Sequence, residues 1–371
     1  MKNPMNARNR LLAVLRGESA DRVPLIMEHF HYRTLAEVKD SGKIELIERV
    51  KNHLHFFHTC EAYVNRYMIT PPQFMHEIKK VETADGTVIT TQIDTPKGPL
   101  ISITGVNEIS STTWKVKYPV ESIEDIEKIR SIPWELPEGL SAPDLSKLPP
   151  EFEERGILNA MVSSPFVCVA DMMSFSDFLE LCITEPELVE ELTAECMQRI
   201  LKILDVILAE KTIEYLWMGG CEWLTPPMGS PAMYEQLVQQ YETPILKKAK
   251  EAGALCHVHC HGNIRTTLEK MIARGADFTE PVEPPPDGDI TFADAKAMAA
   301  GRITLGGNIE ARILENETPD AVERAARAAF EGGKERMIFQ TTAGPISRMT
   351  PKVIANYHRM IDVWEELSPI E

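Results

Sequence analysis

Three histidines that alternate along one short segment are the residues of this chain most suited to chemistry. His257, His259 and His261 are separated by Val258 and Cys260. On a β-strand successive side chains point to opposite faces, so the three imidazoles share one face. Same-face neighbours lie about 6.5 Å apart, which lets two imidazoles reach one ion at about 2.0–2.1 Å. The spacing predicts a metal or catalytic site, and a strand of buried, hydrogen-bonded histidines is the alternative.

Acidic residues at other predicted strand ends can complete such a site. Catalytic zinc takes three protein ligands and leaves a fourth position open for substrate or water. We predict that His259, His261 and Glu222 hold zinc. Glu280 is the reserve carboxylate and a candidate catalytic residue. His257 lies deeper in the strand and is predicted to support the two ligand histidines.

The cysteines of the same segment are predicted to take no part in the site. Cys256 and Cys260 face away from the imidazoles on an extended strand, which disfavours a structural zinc site of two thiolates and two imidazoles. Their expected role is that of small core residues packed toward the covering helices.

The elements that must position these side chains follow a regular order after residue 155. Strand-like runs alternate with helical stretches, and Val23–Met27 and Phe56–Val64 bring the strands to about eight. This alternation predicts an α/β fold, a (β/α)8 barrel of the TIM type with its functional residues at the carboxyl ends of the strands. A doubly wound open sheet is the rival, but no G-x-G-x-x-G motif follows a strand.

Two further regions are predicted around the barrel. Residues 6–17 form an N-terminal helical region. From about 78 to 120 the chain alternates threonine and valine between turns such as Asp85-Gly86, which indicates an inserted antiparallel β-hairpin region. Residues 1–371 are predicted to form one domain that carries this insertion.

Composition narrows the classes of function. The formal net charge of −17 disfavours nucleic-acid binding, which needs lysine and arginine against phosphates. The sequence contains no run of 18 apolar residues, so it predicts no membrane-spanning helix. The seven cysteines are scattered without a repeated spacing, which is typical of a reducing cytoplasm. We therefore expect a cytoplasmic protein that acts on a small molecule.

Several ordered motifs resemble the uroporphyrinogen decarboxylase superfamily. They are Asn6 to Gly17 followed by Asp21-Arg22-Val23-Pro24, then His259-Cys260-His261-Gly262-Asn263-Ile264, Gly275-Ala276-Asp277 and Leu305-Gly306-Gly307-Asn308-Ile309. The resemblance covers nearly the whole chain. It implies a (β/α)8 barrel with its pocket at the carboxyl ends of the strands, in agreement with the pattern of elements.

The superfamily that this chain resembles has two branches, decarboxylases and corrinoid-linked methyltransferases. The decarboxylases carry an Arg-Gln-Ala-Gly-Arg segment after the first strand, where this chain has Glu28-His29-Phe30-His31-Tyr32-Arg33. The methyltransferases that act on thiols resemble this chain at a His-x-Cys-Gly motif and carry a further cysteine on the last strand. Here His261 replaces the first cysteine, and Thr341-Thr342-Ala343-Gly344 lacks the second.

The two missing thiolates favour chemistry at oxygen. A zinc ion with nitrogen and oxygen ligands is a harder Lewis acid than one with thiolates, and it suits the departure of a methyl group from an ether. The resemblance then implies a zinc-assisted methyltransferase that passes the methyl group to a corrinoid (cobalamin) on a partner corrinoid protein. O-demethylation of a methoxylated aromatic compound is the first example to test.

In this hypothesis the remaining candidates receive roles. His31 or Tyr32 protonates the departing oxygen, and Trp217 or Trp223 stacks on the ring. His29, Arg33 and Asn308 are further substrate-binding candidates.

Other functions and assemblies stay open. One alternative is a decarboxylase of a tetrapyrrole or small acid, which requires that Arg33, Arg66 and Arg348 cluster in the pocket. A non-catalytic or corrinoid-binding barrel and an unrelated metal-dependent barrel enzyme are the others. A homodimer is one assembly that the sequence leaves open.

Overall fold

The computed structural model of the chain describes residues 4–60, 67–84, 86–107 and 113–370. Within these ranges the strands are β1 (Leu25–Ile26), β2 (Phe56–Cys60), β3 (Met75–Thr83), β4 (Gly86–Ile93), β5 (Leu100–Asn107), β6 (Thr113–Lys117), β7 (Gly156–Ser163), β8 (Tyr215–Gly219), β9 (Leu255–His259), β10 (Phe278–Glu280), β11 (Thr304–Gly306) and β12 (Met337–Gln340).

The α-helices lie between and around these strands. They are α1 (Ala7–Leu15), α2 (Gly42–Val50), α3 (Ile123–Arg130), α4 (Phe152–Arg155), α5 (Pro165–Ala170), α6 (Phe175–Thr184), α7 (Pro186–Ile207), α8 (Pro231–Tyr234), α9 (Gln240–Glu251), α10 (Leu268–Ala273), α11 (Phe292–Ala299), α12 (Ala311–Asn316), α13 (Pro319–Ala329) and α14 (Pro351–Leu367). None of the helices in the described ranges is long and apolar enough to cross a membrane.

Eight parallel strands form the central sheet, in the order β1-β12-β11-β10-β9-β8-β7-β2. The predicted TIM-type α/β fold is thereby confirmed. The sheet curls as a barrel does, although among the described residues no ladder joins its two end strands, β1 and β2. Residues 61–64 of the predicted strand Phe56–Val64 lie outside the described ranges.

A second sheet of four antiparallel strands, β3 to β6, interrupts the barrel between β2 and β7. It corresponds to the insertion that the sequence predicts, and it spans Met75–Lys117. Asp85 of the predicted turn lies outside the described ranges. Lys115 Nζ lies 3.2 Å from Asp171 Oδ2, which follows α5. Because the insertion follows the carboxyl end of β2, it belongs to the end of the barrel where functional residues gather.

Helix α1 packs against the interior of the barrel from the opposite, amino-terminal end. Its leucines join side chains of five strands in one apolar cluster, and Thr304 Oγ1 donates to the carbonyl of Val14 at 2.9 Å. The cluster contains Leu11, Leu12, Val14, Leu15, Ala20, Ile26, Ile157, Tyr215, Phe278 and Ile338. The N-terminal helical region is therefore part of the barrel core, and the opposite end of the strands is left for a pocket.

Several covering helices begin where the sequence supplies a capping hydroxyl, often followed by proline. The Thr318 and Thr350 side chains accept from the backbone N–H three residues on, and Pro319 and Pro351 occupy the first helical position. Such caps satisfy a backbone donor that the first turn leaves unpaired, and proline already has the helical φ.

A buried ion pair links the two helices that flank β9 in sequence. Arg274 directly follows α10, and its Nη1 lies 2.8 Å from Glu242 Oε2 on α9, with side chains 0% and 1% exposed. Arg274 Nη2 also contacts the Cys221 thiol, at 3.7 Å, at the end of β8. This pair therefore joins three elements around the histidine strand.

Removing one partner of this pair should be strongly destabilising. Glu242→Ala leaves the Arg274 charge buried without a counter-charge, and we expect a loss of about 3–5 kcal/mol in the free energy of unfolding. Urea denaturation should show a lower midpoint with an unchanged m-value. Glu235→Ala, which removes the exposed partner of Lys270 on α10, is the matched control and should leave the midpoint unchanged. Equal midpoints for both variants would contradict this role.

Candidate active site

A cavity of about 480 Å³ opens at the carboxyl ends of the barrel strands. Its volume is in the range of small-molecule sites. Seven strands of the barrel and the loops after them contribute its walls. The lining residues are Ile26, Glu28, His29, His31, Phe57, Asn159, Met161, Tyr215, Trp217, His257, His259, His261, Phe278, Glu280, Gln340, Thr342, Ala343, Gly344, Pro345 and Ile346.

The histidine strand faces this cavity as its alternation predicts. His257, His259 and His261 all line it. Cys256 and Cys260 are fully buried, and the Cys256 thiol lies 3.5 Å from the carbonyl of Leu246 on helix α9. The predicted separation of imidazoles from thiols, and the core placement of both cysteines, are confirmed.

Glu280 lies between two of the imidazoles because of the register of adjacent strands. In the parallel pairing of β9 with β10, Glu280 stands opposite His259. His259 Nδ1 donates to Glu280 Oε1 at 2.7 Å. His257 Nε2 lies 2.8 Å from the same oxygen but makes no aligned hydrogen bond. One carboxylate oxygen therefore sits between two ring nitrogens in a buried position.

The charges of this cluster shift its pKa values in opposite directions. Burial disfavours a charged His259, but the Glu280 carboxylate outweighs that effect and raises the pKa of His259 to about 9. Burial would raise the pKa of Glu280, and the two imidazoles instead hold it well below its usual range. Burial lowers the pKa of His257 despite the same carboxylate. The resting cluster is thus a carboxylate, one imidazolium and one neutral imidazole.

The neutral imidazole has a second fixed contact deeper in the barrel. The Tyr215 hydroxyl lies 2.6 Å from His257 Nδ1. Burial, followed by Glu280, raises the pKa of Tyr215 well above its usual value, so the hydroxyl keeps its proton. Such a contact on one ring nitrogen orients the other nitrogen toward the cavity.

Gln340 connects the cluster to a second carboxylate. Its Nε2 donates to Glu280 Oε2 at 3.0 Å and to Glu28 Oε1 at 2.9 Å. A Cβ on Gly306 would come within 2.7 Å of Gln340 Oε1, so the absence of a side chain there makes room for the amide. Glu28 also lies 3.9 Å from His31 Nε2. Glu28, Gln340 and Glu280 therefore form one linked wall.

Two groups of side chains have donor atoms close enough to hold one metal ion, within the described residues. The first is His257, His259 and Glu280, and the second is Cys221, Glu222 and Cys260. The first group suits zinc, because its donors are nitrogen and oxygen and because the buried His257 Nε2 makes no aligned hydrogen bond, although it lies 2.8 Å from Glu280 Oε1.

The three predicted zinc ligands are only partly brought together. His259 and His261 are neighbours, with ring centroids 4.7 Å apart, but His261 Nδ1 donates to Glu283 Oε1 at 3.0 Å. Glu222 accepts from the backbone N–H of Gly220 at 3.0 Å and lies beside the two thiols. Of the two predicted carboxylates, Glu280 is the one in contact with His259.

Aromatic side chains form another wall of the cavity. The rings of Trp217 and His259 have centroids 5.4 Å apart at an angle of 31°. A Cβ on Gly219 would come within 2.4 Å of the Trp217 ring, so glycine is needed for this close approach. Phe57 and Phe278 complete the apolar lining. This wall offers flat surfaces to a planar ligand.

The other predicted site residues divide into two sets. His29 and His31 line the cavity, and burial lowers the pKa of His29. Tyr32, Arg33, Trp223 and Asn308 do not line it. The Tyr32 hydroxyl lies 3.5 Å from Lys43 Nζ, Arg33 pairs with Glu37 at 3.1 Å, Trp223 packs edge-on against Phe175, and Asn308 is buried with φ of 130°.

Sequence reasoning assigned no role to Glu28, Gln340, Tyr215 or Asn159, which all line the cavity. A signal for three of them exists, because Gln340, Tyr215 and Asn159 are polar residues within otherwise apolar strands. A buried polar side chain inside a barrel strand needs a partner, which often marks a site.

The cluster predicts a specific pH dependence in the metal-free protein. A His259 whose pKa is raised contributes stability that is present below about pH 6.5 and is lost as the pH rises through about 9. Urea unfolding in the presence of a chelator should therefore show stability falling by a few kcal/mol between those values. Glu280→Gln removes the stabilising charge and should flatten that part of the profile. An unchanged slope in this variant would show that another group titrates there.

Comparison with known proteins agrees with this architecture. Residues 104–367 match the family model of uroporphyrinogen decarboxylase (URO-D). A methyltransferase from Methanosarcina mazei has a similar structure, with a TM-score of 0.58 and 16% sequence identity over 98% of this chain and 99% of that chain. A B12-independent methionine synthase from Shewanella sp. W3-18-1 aligns with a TM-score of 0.38 and 11% identity over 79% of this chain and 75% of that chain. No curated protein sequence matches the chain. The family match covers most of the chain, which therefore belongs to the uroporphyrinogen decarboxylase (URO-D) family.

Proposed function

We propose that this protein is a zinc-assisted methyltransferase that moves a methyl group from an ether oxygen of a small aromatic donor to a corrinoid on a carrier protein. The observation that carries the proposal is the sulfur-free donor group His257, His259 and Glu280 beside the Trp217 wall. The proposal combines this chemistry with a fold shared with a methyltransferase from Methanosarcina mazei.

Zinc is proposed on the residues of the first donor group. His257, His259 and Glu280 would hold it, and His261 stands at the outer edge of the same strand. When bound, zinc supplies Lewis-acid chemistry that favours departure of an oxygen leaving group. Binding would release the proton of the His259 imidazolium, since a metal-bound imidazole is neutral.

The proposed reaction balances with the corrinoid as methyl acceptor. The bond between oxygen and methyl carbon breaks, and its electron pair stays on the oxygen. Co(I) supplies the electron pair of the new carbon–cobalt bond and becomes Co(III). The oxygen takes up one proton, and His31 is the proposed donor because it lines the cavity and lies 3.9 Å from Glu28.

The remaining walls have proposed roles in holding the donor. Trp217 and Phe57 offer apolar faces to an aromatic ring. Tyr215 and Gln340 hold His257 and Glu280 through hydrogen-bond distances of 2.6 and 3.0 Å, which limits rotation of the donor groups. The cavity is open at the barrel mouth, and a corrinoid protein is the proposed partner there. Function in the cytoplasm and assembly as a homodimer remain proposals from the sequence.

The decarboxylase alternative has weaker support from the charges of the site. Among the described residues that line the cavity, none is lysine or arginine. Arg33 pairs with Glu37 outside it, Arg348 is exposed, and Arg66 lies outside the described ranges. A substrate with many carboxylates would meet Glu28 and Glu280, with no lysine or arginine among the described residues of the wall and with the His259 imidazolium already paired with Glu280.

Zinc content and methyl transfer together test the proposed function. We expect about one zinc per chain by elemental analysis, and conversion of cob(I)alamin to methylcobalamin when zinc-loaded protein is mixed with a methoxyphenol. His259→Ala and Glu280→Ala should lose the metal and the activity. Glu222→Gln should keep the metal if the first donor group holds it, and should lose it if Glu222 is the ligand that the sequence predicts.

Circular dichroism of each variant separates loss of metal from loss of fold, and uroporphyrinogen is the control substrate. A folded, zinc-free protein that decarboxylates uroporphyrinogen would contradict the proposal. So would zinc retained in both alanine variants.

A further inference from the structure

The cavity wall carries two carboxylates, and only one of them is in close contact with imidazole groups. Glu28 and Glu280 both line it, together with five histidines, whereas no lysine or arginine of the described chain does. Glu280 is matched by the imidazoles of His257 and His259, at 2.8 and 2.7 Å. Within the described part of the chain the Glu28 carboxylate makes no imidazole contact as short as these, since His31 Nε2 is 3.9 Å away.

Glu28 is nevertheless held in a fixed position. Its backbone N–H donates to Thr341 Oγ1 at 2.9 Å. Its side chain accepts from Gln340 Nε2 through Oε1. Because Gln340 contacts a carboxylate on each side, its NH₂ group and not its carbonyl must face them. The wall thereby presents an oriented carboxylate, with a side chain 29% exposed.

We propose that the methyl donor of this site is an uncharged aromatic methyl ether that carries a hydroxyl group, and that Glu28 is the residue that accepts its hydrogen bond. This inference rests on the proposed function for the methyl-transfer step, but it concerns binding alone. A hydroxyl donates to an ionised carboxylate in one of the stronger hydrogen bonds that a protein forms. The ring would lie against Trp217 and the neighbouring apolar side chains.

The same wall disfavours donors that carry a carboxylate. A methoxybenzoate would bring a further negative charge into a small cavity beside Glu28, where no lysine or arginine of the described residues lines the wall and where the His259 imidazolium is already paired with Glu280. In a partly buried site such repulsion is weakly screened. A methoxy arene without a hydroxyl avoids the repulsion, but it leaves the acceptor positions of Glu28 that Gln340 does not occupy without a donor and stripped of water.

Equilibrium binding measured by calorimetry tests this selectivity without any methyl transfer. The probes are 2-methoxyphenol, methoxybenzene and 4-methoxybenzoate, each titrated into the purified protein. We expect 2-methoxyphenol to bind at least about 10-fold more tightly than either of the others, which corresponds to about 1.4 kcal/mol. Glu28→Gln should reduce the discrimination against 4-methoxybenzoate by a similar factor. Glu37→Gln, which removes an exposed carboxylate on the same loop, should leave every ratio unchanged.

The outcomes separate this inference from the proposed function. Binding of 4-methoxybenzoate as tight as that of 2-methoxyphenol, no binding of 2-methoxyphenol, or an unchanged ratio in Glu28→Gln would overturn the role of Glu28. Methyl transfer to cob(I)alamin from 2-methoxyphenol and from 4-methoxybenzoate at equal efficiency would also overturn the role of Glu28, but it would leave the proposed function intact. The predicted binding ratios without methyl transfer from any probe would support Glu28 as a hydroxyl-binding residue and contradict the methyltransferase.

Discussion

The parallel pairing of β9 with β10 is the constraint on which the site depends. It sets Glu280 opposite His259, and the two-residue period of the strand then brings His257 to the same carboxylate. A shift of one residue would send the imidazoles toward the helices and bring Cys256 and Cys260 into the cavity. Register thus decides whether nitrogen and oxygen or sulfur face the substrate.

The rest of the molecule maintains this register and the charge that it creates. Arg274 and Glu242 join the helices on either side of β9, and α1 packs into the amino-terminal end of the barrel. Glu280 remains ionised in a buried position because two imidazoles and the Gln340 amide surround it. The cost of burying a carboxylate is offset by contacts on several strands, so the cluster depends on the curved arrangement of those strands around it.

The sequence was sufficient for the fold and for one face of the site. Alternating strands and helices predicted the barrel, and the histidine spacing predicted which side chains face the cavity. It did not predict the partner of His259, because register is a property of two strands and Glu222 and Glu280 both follow strand ends. Nor does the sequence predict that His55, just before β2, is buried with its ring centroid 4.7 Å from that of His31, since periodicity does not encode how a loop folds onto the barrel.

Two sets of side chains in the described part of the chain compete for a metal ion: the nitrogen and oxygen donors of the histidine cavity, and the Cys221 and Cys260 thiols with Glu222. X-ray absorption at the zinc edge distinguishes them. Ligation by His257, His259 and Glu280 predicts a first coordination shell at about 2.0–2.1 Å with no sulfur contribution. A sulfur shell at about 2.3 Å would place the ion on the thiols and contradict chemistry at oxygen in the histidine cavity.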